Sequence, residues 1–123
     1  MRTLSTLSLL AALAAGSAPV LGHHGWGGQE SGKFELSGTL HKDVSLAGPH
    51  GTMQIVDADG KVWDLTLAPP ARVERAGLKP GVLPKGAPVS IVGRRNSDPK
   101  RLEVKTERVT HDGRNYDIYP DRL

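Results

Sequence analysis

The sequence predicts an all-β domain: a small five-stranded barrel with one short helix between strands three and four. Three observations lead there. Apolar and polar residues alternate from Phe34 onward, an Asp59-Gly60 pair sits between two alternating runs, and Pro69-Pro70 breaks the pattern ahead of a short stretch of helical character.

In chain order, Phe34, Leu36 and Gly38 alternate with Glu35, Ser37 and Thr39, and Leu40 and Val44 continue this first strand. Gly48-Pro49-His50-Gly51 has the composition of a turn. Met53 and Ile55 mark a second strand, and Asp59-Gly60 turns it into a third over Lys61–Leu67, where Val62, Asp64 and Thr66 alternate with Trp63, Leu65 and Leu67. Pro69-Pro70 ends that strand, since proline cannot donate to a ladder. Ala71–Ala76 then forms the helix, with Pro70 near its first turn and Gly77 as its stop. After the loop signals Pro80-Gly81 and Pro84-Lys85-Gly86, Val89–Gly93 reads as a buried fourth strand and Leu102, Val104 and Thr106 as a fifth. Asp112-Gly113 turns into a last extended piece through Tyr116 and Ile118. A helix between strands three and four of a closed antiparallel five-stranded sheet is the layout of an OB-like barrel.

Residues 1–22 have a different character. Arg2 gives a short positive start, Leu4–Ala15 an apolar run, and Gly16, Ser17 and Pro19 a helix break before the small residue Gly22. That order describes a cleavable secretory signal, and the apolar run is too short for a membrane anchor. Cleavage after Gly22 is expected, making His23 the mature N-terminus and the periplasm the destination. A cut after Ala18 would leave Pro19 first, which signal peptidases disfavour. The expected organisation is a signal at 1–22, a Gly/His-rich arm at 23–33 and the barrel at 34–123, with no stable membrane insertion after cleavage.

Composition narrows the function. The chain has no cysteine, so thiolate ligands and disulfides are excluded, and a soft metal must be held by His, Met or the amino terminus. The net charge of +3 is dispersed among acids, as in Lys105-Thr106-Glu107-Arg108, which reads as a solvated surface and not as a nucleic-acid stripe. With so few aromatic residues, a base-stacking platform is not expected, nor is a nucleic-acid partner. No Gly-x-Ser-x-Gly elbow or phosphate-cradling glycine loop occurs and no Ser-His-Asp order stands out, so catalysis is not the expected role. Asp57, Asp59 and Asp64 do not have the spacing of a calcium loop and read as turn acids.

The chemistry lies in His23-His24-Gly25-Trp26. A terminal histidine offers its α-amine and its ring Nδ1 to one ion, and the amine titrates near pH 8, about two units below a lysine, so a metal displaces its proton at modest cost. A further imidazole completes a T-shaped set of three nitrogens, a geometry that suits Cu(II); nickel or zinc are the alternatives. His50, in a turn stiffened by Pro49, is the expected partner, with His24 as an auxiliary ligand. Cleavage after Leu21 would instead place His24 third, giving an amine–amide–imidazole site that again favours Cu(II) or Ni(II). A histidine arm with no role is the plain alternative. Met53 reads as a core filler, His41 as an exposed strand residue, His111 as a turn residue and Trp63 as core, while Trp26 would stack beside the metal or cap the barrel mouth. Arg94-Arg95 and Lys100-Arg101 read as a basic loop between strands four and five, a feature with which a non-metal module would engage a periplasmic protein or an acidic glycan.

Several stretches together resemble a known group. They are His23-His24-Gly25-Trp26, Gly48-Pro49-His50-Gly51, Leu67-Ala68-Pro69-Pro70 with Arg72 and Arg75-Ala76-Gly77-Leu78, and Tyr116-Asp117-Ile118-Tyr119-Pro120-Asp121-Arg122. The chain is similar to a family of small exported proteobacterial proteins classed as a domain of unknown function. That resemblance covers nearly all of the mature chain and implies export and one compact β-domain, with no activity attached. Both His23 and His50 fall in the shared stretches. Gly27-Gly28 replaces a more ordinary polar pair and predicts a looser arm.

Overall fold

The structure, a computed structural model, describes residues 26–123; the signal expected at 1–22 and the candidate ligands His23 and His24 lie outside the described residues. Six strands and a short helix follow in order: β1 (Phe34–Ser45), β2 (Thr52–Val56), β3 (Val62–Thr66), α1 (Pro70–Arg75), β4 (Pro88–Arg95), β5 (Glu103–His111) and β6 (Arg114–Asp117), then a 3-10 turn at Pro120–Arg122. No helix among the described residues is long and apolar enough to cross a membrane.

The strands run β3-β2-β1-β4-β5 across the sheet, and β3 pairs with β5 to close a five-stranded barrel. The long β1 makes closure feasible. Its first half, Phe34–Thr39, pairs with β4, and its second half, Thr39–Ser45, pairs with β2. Register shifts at Leu40/Lys42 and Lys42/Ser45 bend the strand between its two partners, as bulges do. The closing seam is parallel, joining Asp64, Leu65 and Thr66 to Glu103, Val104 and Lys105, so the expectation of an all-antiparallel barrel is corrected to a mixed one. The last extended piece is a true strand, β6, in a hairpin with the far half of β5.

Inward residues of the strands form the core, including Leu40, Met53, Ile55, Leu65, Ile91, Val104 and Val109. Helix α1 packs Val73 against it, with proline at its start and no side-chain cap. The other end of the barrel is stoppered by aromatic rings. Phe34 lies 5.4 Å from Trp63, and the Arg95 guanidinium sits over Trp63 at 4.8 Å while donating to the Pro99 carbonyl. Trp63 is core, as expected, and its indole N–H donates to Asp57. The other Asp57 oxygen accepts the Asp59 and Lys61 amides, which makes Asp57 the turn acid its sequence position suggests.

Candidate functional site

Charge is concentrated where β5 is buried on both faces. Val104, Lys105, Thr106 and Glu107 are consecutive and all buried, so the solvated surface expected for Lys105-Thr106-Glu107-Arg108 is corrected. These charged side chains do lie on the outside of the barrel, but two segments remote in sequence cover them: residues 26–33 on one side and the turn after β6 on the other.

Glu107 is the hub. Its side chain is 0% exposed, and it accepts hydrogen bonds from Lys33 Nζ at 2.7 Å, Arg94 Nε at 3.0 Å and Arg122 Nε at 3.3 Å. Burial alone would push the carboxyl up; the three donors outweigh it and hold Glu107 below the ordinary glutamate range. Arg94, read from sequence as part of a basic loop, therefore points into the fold, and Arg95 is committed to the aromatic stopper. Of that loop, Lys100 and Arg101 remain outward, with Arg101 beside Glu103 at 3.3 Å.

Trp26 lies against the same patch. Arg122 stacks over its ring at 3.7 Å, Lys105 Nζ stands 5.5 Å from its centroid, and the Tyr119 ring meets it edge-on at 5.1 Å. The residues after Trp26 are fastened by backbone hydrogen bonds. Gly28 accepts from the Ser97 amide, Gln29 bridges Asn96, and the Glu30 amide donates to the Arg95 carbonyl. The Arg94 guanidinium also donates to the Ser31 carbonyl. The looser arm implied by Gly27-Gly28 is thus corrected for residues 26–33: glycine leaves backbone donors and acceptors free to pair, and here they pair with the β4–β5 loop.

Lys105 is 5% exposed, and among the described residues no carboxylate lies within ion-pair reach of it. Burial lowers its pKa, because the charged form loses water and gains only the face of Trp26. A group whose folded pKa is lowered costs stability while protonated, and that cost fades as pH rises toward the ordinary lysine value of 10.5. Lys105→Met keeps the packed stem and is expected to raise the thermal midpoint at neutral pH, and to flatten the rise in stability between neutral pH and pH 10; paired melting curves read both effects.

His50 is half-buried in the loop between β1 and β2 and engaged in an interaction there. The next residue, Gly51, extends the β2–β3 ladder: its amide donates to the Ala68 carbonyl at 2.8 Å, and its carbonyl accepts from Leu67 at 2.7 Å. Leu67-Ala68 leads directly into α1, whose Arg72 stacks on the Tyr119 ring at 4.9 Å. The His50 loop and the Trp26 cage are therefore joined through α1 and Tyr119. Across the seam, Thr52, Thr66 and Lys105 are adjacent in register on β2, β3 and β5.

The other histidines stand apart. His41 is exposed on β1, at the rim of a groove of about 420 Å³ floored by Leu40 and Leu83, and His111 Nδ1 is 2.8 Å from the Pro88 carbonyl at the end of β5. Met53 is buried core. Among the described residues there is no group of three His, Asp or Glu able to hold a metal. No protein-family model matches the chain, and no curated protein matches it.

Sequence reasoning missed Glu107, Lys105 and Arg122. The one signal for them was Tyr119-Pro120-Asp121-Arg122, noted as a motif without a role.

Proposed function

We propose that the chain is an exported, periplasmic Cu(II)-binding protein, a carrier or buffer, that holds the ion through the His23 α-amine, the His23 ring and His50, with His24 as an auxiliary ligand. This is a role for the small exported family it resembles. The observation that carries the reading is the docking of Trp26. His23 and His24 precede Trp26 by three and two positions, with Gly25 between, so coordination there would start from a chain tethered at the Trp26 ring and cost less freedom than in a free linker.

Two strand spacings, about 10 Å, separate Lys105, near Trp26, from Thr52, two residues after His50, and the arm before Trp26 would have to cross a gap of that order to share an ion with His50. Cations near Trp26 oppose a second cation, so affinity here must come from nitrogen coordination and not from the local field.

Titration of Cu(II) into protein beginning at His23, and into the same protein acetylated at its N-terminal amine, tests the reading. Acetylation removes the α-amine from the chelate without placing a histidine third after a free amine, and is expected to weaken binding by more than about tenfold. His50→Ala is expected to weaken it also. Equal, weak binding by all three forms overturns the proposal, as does intact-mass evidence that the exported form begins at Pro19.

A further inference from the structure

The patch around Glu107 holds more positive charge than it neutralises. Lys33, Arg94 and Arg122 share the one Glu107 carboxylate, and Lys105, 5% exposed, has no hydrogen bond or ion pair to any described residue. The residues before Trp26 bring no counter-charge, because all 13 Asp and Glu residues of the sequence lie at Glu30 or beyond. A buried lysine without a carboxylate is a costly arrangement for the protein alone.

Arg122 is also only half engaged. Its Nε donates to Glu107 at 3.3 Å, while its two terminal nitrogens, an edge suited to gripping an oxyanion through two parallel bonds, have no hydrogen bond to a described residue. Both cations are presented to a single ring: Arg122 lies 3.7 Å and Lys105 Nζ 5.5 Å from the Trp26 centroid. A ring face is a weaker partner for a cation than an anionic oxygen that accepts charge-assisted hydrogen bonds. Trp26 is half-buried and joined to the anchored segment through Gly27 and Gly28, the latter at φ 83°. That backbone freedom lets the ring swing away while Gly28, Gln29 and Glu30 stay paired with the β4–β5 loop.

We propose that Lys105 and Arg122 form a binding site for a phosphate group, with the Trp26 ring as the lid that exchanges with it. Charge selects phosphate over a carboxylate: a phosphate monoester carries more than one negative charge at neutral pH and suits a patch with several cations in excess. Its oxygens diverge, so one takes the lysine point charge while others meet the arginine fork. A bound phosphate gives Lys105 the counter-charge the fold does not supply. Neither residue is a candidate metal ligand, so this site and the copper site stand or fall separately.

Inorganic phosphate is the probe, titrated by calorimetry into protein beginning at His23 without added metal, with sodium chloride at equal ionic strength as the reference. The binding heat is expected to saturate. Trp26 emission, assigned by difference from Trp26→Phe, is expected to shift to the red as the ring leaves the barrel. Lys105→Met, the variant expected above to gain stability, is expected to weaken phosphate binding by more than about tenfold. Arg122→Lys keeps the charge, loses the fork and is expected to weaken it severalfold. Trp26→Ala removes the competing ring and is expected to tighten it severalfold. Arg75→Ala, which removes an exposed cation on α1, is expected to leave the affinity unchanged. Four results overturn the proposal: no saturation beyond the chloride reference, affinity unchanged by Lys105→Met, weaker binding in Trp26→Ala, or tighter binding of acetate than of phosphate.

Discussion

Glu107→Ala is expected to lower stability by about 3 kcal/mol, the lower end of what breaking a buried ion pair costs. The lower end applies because two of the three cations left behind, Lys33 and Arg122, keep more than a third of their side-chain surface in water and can rehydrate; Arg94, at 16%, cannot. For a domain of about 100 residues this corresponds to a fall of about 15 °C in the melting midpoint. Glu107→Gln retains the shape and one acceptor and is expected to fall between. The two variants also separate charge from packing through pH. Because the folded pKa of Glu107 is depressed, its stabilisation is complete above the ordinary glutamate value of 4.5 and is lost as pH falls through the lower folded value. Wild-type stability is therefore expected to drop steeply in that acid window, and Glu107→Gln to show a shallower drop. Parallel curves in the two proteins would remove Glu107 from the hub.

Gly93→Ala is expected to be among the most damaging substitutions in the sheet, costing about 3 kcal/mol or more. A methyl group at Gly93 would stand 2.2 Å from the Lys105 carbonyl oxygen and 2.9 Å from Thr106 Cα. Both are backbone atoms and cannot rotate aside. They lie at the register shift where β4 passes from Arg108 to Thr106 on its partner, so relief would require β5, which also carries the closing seam, to move away from β4. Gly32→Ala is the matched control: nothing lies within 4 Å of the added carbon, and the expected change is within about 0.5 kcal/mol. Urea midpoints of the two proteins measure the contrast, and similar midpoints would show that β4 and β5 are not held as closely as described.

Alternation made β1, β2 and β3 legible in the sequence, because one face of each strand meets the core and the other meets water. The hairpin at Asp59-Gly60 was legible through its turn chemistry. The parallel seam was not: Leu65 and Val104 look inward whichever way their strands run, so the apolar pattern carries no direction. Nor was the burial of Lys105 and Glu107. Their positions mark the outer face correctly, but what covers that face is a glycine-containing arm and a C-terminal turn, neither of which has any periodicity to announce it. Arg94 and Arg95 were placed in a loop because strand four was ended at Gly93, two residues early. Of the candidate metal ligands, only the position of His50 in a turn beside the β2–β3 ladder extension is a matter of fold; the chemistry proposed for His23 and His24 would depend on processing of the chain, which no strand pattern encodes.

The seam between β3 and β5 has a consequence in time. It has three paired positions, and α1 and the whole of β4 intervene along the chain between its two sides. Hairpins such as β2–β3 and β5–β6 join neighbours and assemble within about microseconds, whereas this contact must wait for a long loop to close first. The barrel should accordingly fold on the slower millisecond-to-second scale of topologies rich in distant contacts. Slanted parallel rungs are also slightly weaker than antiparallel ones, so the last join to form should be the first to breathe.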